Sequence, residues 1–118
     1  RDALIHQRGM DLVAAHGDFS ADQVATGGDE VWLLDLDRHG LAPRGFDFGS
    51  FHAVELLEHD EPVTEALLSG YAGVGMDEIR PWVFVGLALR MAEPFRDADP
   101  AWRDLVGARL DQMEQWLR

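Results

Sequence analysis

A short apolar run that ends at an Asp-x-Asp sequence constrains this chain most strongly. Residues 31–34 (VWLL) follow a glycine turn and lead directly into Asp35 and Asp37. Four consecutive apolar residues between turn signals and charges are typical of a short buried strand. A polar loop, residues 16–23, precedes this strand. A carboxylate at a strand end beside a second polar loop is a common way to hold a cation. We therefore interpret residues 16–37 as an active site.

The polar residues of this stretch follow a spacing with known chemistry. His16, Asp18 and Gln23 fit the loop H-x-D-x-x-x-x-N of protein kinases, with Gln in place of Asn. In that loop the Asp accepts the substrate hydroxyl proton, the Asn holds Mg²⁺, and a strand-end Asp that also holds Mg²⁺ follows. Asp35 follows Gln23 by twelve residues. The spacing predicts Asp18 as the catalytic base and Gln23 and Asp35 as metal ligands. Asp37 is expected to contact a second metal or the substrate, or to accept from backbone amides.

Residues 12–50 together resemble the aminoglycoside phosphotransferase and choline kinase-like family. That family has a loop of the form H-G-D-x-x-x-x-N and a metal strand with an ending like residues 34–37 (LDLD). Residues 45–49 (GFDFG) are similar to the segment that opens its next helix. The resemblance implies an α+β, mainly α fold. This fold is a protein kinase-like carboxy-terminal lobe with a catalytic loop, a short β-hairpin bearing the metal Asp, and about four helices.

The resemblance also implies a function. It predicts an ATP-dependent phosphotransferase that moves the γ-phosphate to a hydroxyl of a small molecule, with Mg²⁺ as cofactor. Family members phosphorylate aminoglycosides, choline, sugars, homoserine or macrolides, so the acceptor stays open and a cationic acceptor is one option. His16 and Asp47 are expected to organise the loop, His16 through an inward hydrogen bond and Asp47 as a buried acceptor or an N-cap. Without the resemblance, Asp18 and Asp22 are better explained as turn residues that bond their own backbone.

Two positions depart from the family pattern. Gln23 carries its amide oxygen one methylene further from the backbone than Asn does, and Mg²⁺ tolerates poor octahedral geometry badly. Residues 42–44 (APR) stand where the family often has Gly-Asp-Pro, and we assign them no role.

Composition narrows the partners and the extent of the domain. The net charge is −12, from 22 acidic residues and ten arginines, and there is no lysine. This charge opposes binding to nucleic acid and to anionic membranes and favours a cationic small molecule, although it also serves ordinary solubility. Kinase-like enzymes place a Gly-rich loop and a strand Lys in an amino-terminal lobe. We therefore expect residues 1–118 to be a single partial domain that lacks this lobe and is inactive alone.

The chain shows no sign of membrane insertion or of disulfides. It has no cysteine and no apolar run of membrane-spanning length. These features favour a cytoplasmic protein.

Apolar residues recur with a helical period from residue 46 onward. Start signals at Asp60, Asp77 and Asp99 separate four predicted helices, and residues 1–8 are expected to end an earlier one. The third helix, which contains residues 82–89, is expected to be the most buried because it is apolar almost all round. The second helix is predicted to bury a stripe of four residues: Val63, Ala66, Leu67 and Tyr71.

The remaining histidines and a group of acids are expected at the surface. His39, His52 and His59 lack a shared spacing for a metal site. The acids that cluster between the first two helices form a predicted solvated face, or else contact amino groups of a substrate: Glu55, Glu58, Asp60, Glu61 and Glu65.

Two other functions stay open at this point. A kinase-like lobe that no longer catalyses could serve as a binding module, which Gln23 favours and the presence of both Asp18 and Asp35 opposes. A strand ending in Asp-x-Asp also opens haloacid dehalogenase-like phosphatases. In that reading residues 38–39 (RH) replace the expected Gly-Thr, and the chain lacks the required lysine.

Overall fold

The computed structural model describes residues 11–71 and 73–118, which form an α+β arrangement that is mainly helical. The predicted helix end at residues 1–8 lies outside the described residues. Two small antiparallel sheets come first in the chain, and helices occupy the remainder. The coarse fold class that the sequence predicts is therefore confirmed.

The two sheets are nested in sequence. Strand β1 (Leu12–Ala15) pairs with β4 (Gly40–Pro43), while β2 (Val24–Gly27) and β3 (Glu30–Leu33) form a hairpin between them. Gly28 lies at the hairpin turn with φ +58°, a left-handed conformation that glycine adopts without a steric penalty. A single 3-10 turn, Ala21–Gln23, leads into β2. The strand expected after the glycine turn is thus present, as one arm of a hairpin.

The expected burial of residues 31–34 is wrong. Val31, Trp32, Leu33 and Leu34 are 67%, 47%, 53% and 44% exposed. The strand exists, but it belongs to a sheet of only two strands. No other element of the described part of the chain packs extensively on this hairpin. An apolar run indicates a strand that is suited to burial. Whether the strand is buried depends on another layer that packs on it, and the run itself does not supply that layer.

Four helices follow the sheets, as predicted. They are α1 (Phe46–Glu58), α2 (Thr64–Ser69), α3 (Met76–Leu89) and α4 (Trp102–Trp116). A single helical turn, Glu93–Arg96, connects α3 to α4. In the described residues no helix is both long enough and apolar enough to cross a bilayer.

The core lies between α1 and α3, which pack at very short range. A Cβ atom added at Gly49 of α1 would lie 2.5 Å from the Trp82 backbone, and one added at Gly86 of α3 would lie 2.8 Å from the Ala53 side chain. These two glycines therefore allow the helix backbones to approach. Fully buried apolar side chains of α3 fill the interface: Ile79, Val83 and Leu87.

Helix α4 closes one side of this core without burying any residue completely. Met113 and Trp116 pack partly against the core cluster. Gln112 donates to the Leu56 carbonyl at 2.7 Å, and the Trp116 indole donates to the Arg80 carbonyl at 3.0 Å. Polar contacts therefore account for much of the attachment of α4.

Helix α3 is not the most buried helix, and the predicted α2 stripe is also wrong. Seven residues of α1 are buried but only four of α3, because α1 contacts the loop, the other helices and the core together. In α2 the buried residues are Thr64 and Leu68, one position beyond the predicted stripe, since this helix is too short to present a long apolar face.

Two residues expected at the surface are instead buried together. His52 and Glu55 of α1 are 9% and 4% exposed, whereas His39 and His59 are exposed as predicted. The Glu55 carboxylate accepts hydrogen bonds from the Thr64 hydroxyl, the Val63 amide and His52 Nδ1. These bonds satisfy a buried charge and hold the start of α2 against α1.

Candidate active site

The predicted catalytic loop connects β1 to the 3-10 turn, and glycine permits its path. Gly17 has φ +93°, and a Cβ atom there would lie 2.1 Å from the Arg38 carbonyl oxygen. Any side chain at this position would therefore collide with the segment that follows β3. The loop and the segment that carries Asp35 and Asp37 are consequently in direct backbone contact.

His16 connects the loop to the end of the hairpin. Its side chain is 6% exposed, and Nε2 lies 2.7 Å from the Leu34 carbonyl oxygen. Because a carbonyl only accepts, we assign the proton to Nε2, which leaves Nδ1 to accept from the Asp18 amide at 3.2 Å. The imidazole therefore links the backbone of Asp18 to the residue before Asp35. These contacts fit the loop-organising role predicted for His16.

Asp47 holds the same loop from the first turn of α1. Its Oδ2 accepts from the His16 amide at 2.8 Å, and its Oδ1 accepts from the Gly17 amide at 3.1 Å. Both carboxylate oxygens thus bind consecutive loop amides, so Asp47 is used as an acceptor for the loop rather than as an N-cap of its own helix. Its predicted role fits this geometry.

Asp18, the predicted base, is 42% exposed at its side chain. Its Oδ1 accepts from Arg90 Nη2 at 3.0 Å. Arg90 Nη2 also lies 3.0 Å from Ser50 Oγ, and Ser50 Oγ donates to the Phe19 carbonyl at 2.9 Å. Asp18 is therefore held by a polar network from two helices, with its side chain still open to solvent.

The hairpin register pairs Gln23, one predicted metal ligand, with the residue before Asp35, the other. The Leu34 amide donates to the Gln23 carbonyl at 2.8 Å, which extends the ladder one pair beyond β2 and β3. Asp35 follows immediately and has φ +55°, a left-handed conformation that is uncommon for a residue other than glycine. Asp35 is therefore adjacent in sequence to the residue that faces Gln23 across the hairpin. Asp37 lies two residues further and is exposed.

Two cavities flank the loop. The smaller, of about 190 Å³, is polar and is lined by Asp18, Gln23 and Arg90 together with three further acids, Asp22, Glu58 and Glu93. The larger, of about 680 Å³, is mostly apolar and lies between the β1–β4 sheet and helices α1 and α2. Asp18 and Gln23 thus share the small cavity, whereas Asp35 and Asp37 line neither one.

The described residues contain no group of three or more His, Asp or Glu side chains that could together hold a metal ion. Mg²⁺ is usually bound by one or two carboxylates, with water and substrate phosphates as the other ligands. A set consisting of the Gln23 amide oxygen and the Asp35 carboxylate is compatible with that preference for hard oxygen donors.

Sequence reasoning missed Arg90 and Ser50. Arg90 is separated from Asp18 by 72 residues, so no local spacing could pair them. One signal was available, because Arg90 is the first charged residue after the apolar part of α3 and only 12% of its side chain is exposed. A charge at the end of a buried helix needs a partner.

Comparison of the chain with protein-family models gave no match. Comparisons with curated proteins and with solved structures also gave none.

Proposed function

We propose that the protein is the catalytic lobe of an ATP-dependent phosphotransferase that acts on a small-molecule hydroxyl. The observation that carries the proposal is the arrangement around His16. The loop with Asp18, the hairpin end with Asp35 and the helix start with Asp47 are distant in sequence, yet direct hydrogen bonds of His16 and Asp47 join them. The kinase-like motif is therefore supported by three-dimensional contacts as well as by spacing.

In this proposal Asp18 positions the acceptor and takes its proton. Hydrogen bonding within the protein occupies Oδ1, which leaves Oδ2 to accept from a substrate hydroxyl in the small cavity. Phosphoryl transfer depends mainly on positioning and on offsetting charge, so a rigid carboxylate at this location is sufficient for the acceptor side.

Gln23 and Asp35 are the proposed holders of the cofactor. Mg²⁺ held there would offset the negative charge of the transferring phosphoryl group. The chain contributes by fixing Gln23 against Leu34 and by holding Asp35 in a left-handed conformation. A non-glycine residue with this backbone costs about 1 kcal/mol or more, and such residues cluster at functional sites.

The acceptor is proposed to be a small hydroxyl compound that carries positive charge. Four carboxylates line the small cavity, with Arg90 as the single cation, and the protein carries a net charge of −12. Such a field favours a cationic ligand over an anionic one.

The nucleotide side of the site is proposed to come from a further, amino-terminal lobe. Val31, Leu34 and Leu36 of the hairpin region are 67%, 44% and 49% exposed. An exposed run of apolar residues is a candidate surface for another element to cover. A lobe that carries the Gly-rich loop and a lysine would cover this surface and complete the ATP site. We also propose a cytoplasmic location for the enzyme.

A binding module without catalysis is the second candidate. Gln23 in place of the usual Asn favours it, because the longer side chain must fold back to present its oxygen to Mg²⁺. The phosphatase alternative has less support, because the strand before Asp35 lies in an exposed two-stranded hairpin rather than in a covered sheet.

Calorimetry of ATP binding to the intact protein tests the proposal. We expect the wild type to bind ATP more tightly when Mg²⁺ is present. In Asp35→Ala we expect ATP binding to be the same with and without Mg²⁺. The exposed Asp111→Ala on α4 serves as the control and should bind as the wild type does. Binding that ignores Mg²⁺ in the wild type, or that keeps its Mg²⁺ dependence in Asp35→Ala, would refute the ligand role.

A further inference from the structure

Arg90 connects the predicted base to the helical core. It is the first residue after α3, and its guanidinium makes three hydrogen bonds to protein groups. Nη2 donates to Asp18 Oδ1 and to Ser50 Oγ, both at 3.0 Å, and Nη1 donates to the Gly86 carbonyl at 3.4 Å. Because Ser50 Oγ in turn donates to the Phe19 carbonyl, both Asp18 and the next residue of the loop are held.

The backbone of Arg90 is itself fixed. The last carbonyls of a helix have no partner within the helix and need donors from elsewhere. Arg109 of α4 donates from Nη1 to the Arg90 carbonyl, and the same nitrogen lies 2.9 Å from Glu93 Oε1. The backbone that carries the Arg90 side chain is therefore held in place where α3 meets α4.

Stability alone is a weak reason for this arrangement. The Asp18 side chain is 42% exposed, and ion pairs with such access to water contribute about 0–1 kcal/mol. Arg90, by contrast, is only 12% exposed, so its charge has been largely removed from water. A planar guanidinium suits the orientation of a carboxylate, because it presents several donors in a fixed geometry.

We propose that Arg90 is a positioning residue, supported by Ser50, that fixes the Asp18 carboxylate through Oδ1 and so directs Oδ2 to the acceptor hydroxyl. This inference rests on the proposed phosphotransferase function. It gives a role in catalysis to a residue after α3 that is 72 residues from Asp18 in the sequence.

The test measures release of inorganic phosphate from MgATP by the full-length protein, which includes the proposed amino-terminal lobe, with water as the acceptor. We expect Arg90→Met to lower kcat by about 10- to 100-fold, because a small displacement of a catalytic group has effects of that size. The KM for MgATP should stay within about twofold, because the Arg90 guanidinium is hydrogen-bonded to Asp18, Ser50 and Gly86 rather than to the proposed metal ligands. Arg90→Lys should recover part of the loss, since one ammonium group can still bind Asp18.

Two further variants separate positioning from folding. Arg96→Met makes the same substitution at an exposed arginine of the helical turn that follows α3, and it should keep the wild-type kcat. Ser50→Ala removes one hydroxyl from a buried site and should lower kcat a few-fold without a change in KM. If Arg90→Met does not fold, the Ser50→Ala result decides the inference.

The outcomes separate the role of Arg90 from the proposed phosphotransferase function. If Asp18→Ala is inactive while Arg90→Met and Ser50→Ala keep the wild-type kcat, the role of Arg90 is overturned and the proposed function stands. A rise in KM alone overturns it as well. If the wild type releases no phosphate, or if Asp18→Ala releases as much as the wild type, the proposed function fails and the role of Arg90 fails with it.

Discussion

Replacing Asp47 by alanine removes the acceptor that holds the catalytic loop on α1. The two oxygens of Asp47 accept from the amides of His16 and Gly17 at 2.8 and 3.1 Å. Hydrogen bonds to a charged group contribute about 1.5–3 kcal/mol each. Asp47 is only half-buried, so water can partly replace it at the amides. We therefore expect Asp47→Ala to lower the free energy of unfolding by about 2–4 kcal/mol.

Urea unfolding followed by tryptophan fluorescence measures this change, with the slope against urea unchanged. Hydrogen exchange should also become faster at the amides of residues 16–18 while the centre of α1 stays protected. Asp111→Ala is the matched control, because it removes an exposed carboxylate and should change stability by less than about 0.5 kcal/mol. If Asp47→Ala is no less stable than Asp111→Ala, the proposed anchoring of the loop is refuted.

Two more predictions concern the helical core. Gly49→Ala should lower the free energy of unfolding by about 1–3 kcal/mol, because its Cβ would lie 2.5 Å from the Trp82 backbone. Gly107→Ala in α4 should instead raise stability, because its Cβ would meet no atom within 4 Å. Equal effects of the two substitutions in thermal unfolding would contradict the close packing of α1 and α3. Burial raises the pKa of Glu55, but hydrogen bonds from Thr64, the Val63 amide and His52 together lower it by more than burial raises it. The pKa of Glu55 is therefore below the ordinary value of 4.5. The stabilisation by Glu55 is therefore complete above about pH 4.5 and is lost as the pH falls through the lowered pKa. The difference in stability between wild type and Glu55→Gln should consequently shrink in acid. A stability difference that does not change with pH would refute this role of Glu55.

Local signals in the sequence predicted the elements that carry the candidate site. The glycine turn and the apolar run after it predicted a strand near residues 31–34, and the change of apolar period predicted a helix that begins at Phe46. These predictions succeeded because turn residues and periodicity act over a few positions. Asp47 could also be located in advance, because it opens that helix.

Contacts between distant elements could not be predicted in the same way. Residues 31–34 have the composition of a buried strand, but burial depends on a covering layer that the strand itself does not encode. His52 looked like a surface residue because its partners, Glu55 and Thr64, meet only after α1 and α2 fold against each other. Arg90 reaches Asp18 only because α3 ends beside the loop.

Transfer of label from γ-labelled ATP to a panel of small alcohols and amino alcohols tests the central claim most directly. The intact wild-type protein should label at least one acceptor in a Mg²⁺-dependent reaction. Asp18→Ala should abolish the labelling and lower the melting temperature by no more than a few degrees, because the Asp18 side chain is 42% exposed and, among the described residues, forms an ion pair with Arg90 alone. Labelling that continues unchanged in a folded Asp18→Ala protein would contradict the assignment of Asp18 as the base.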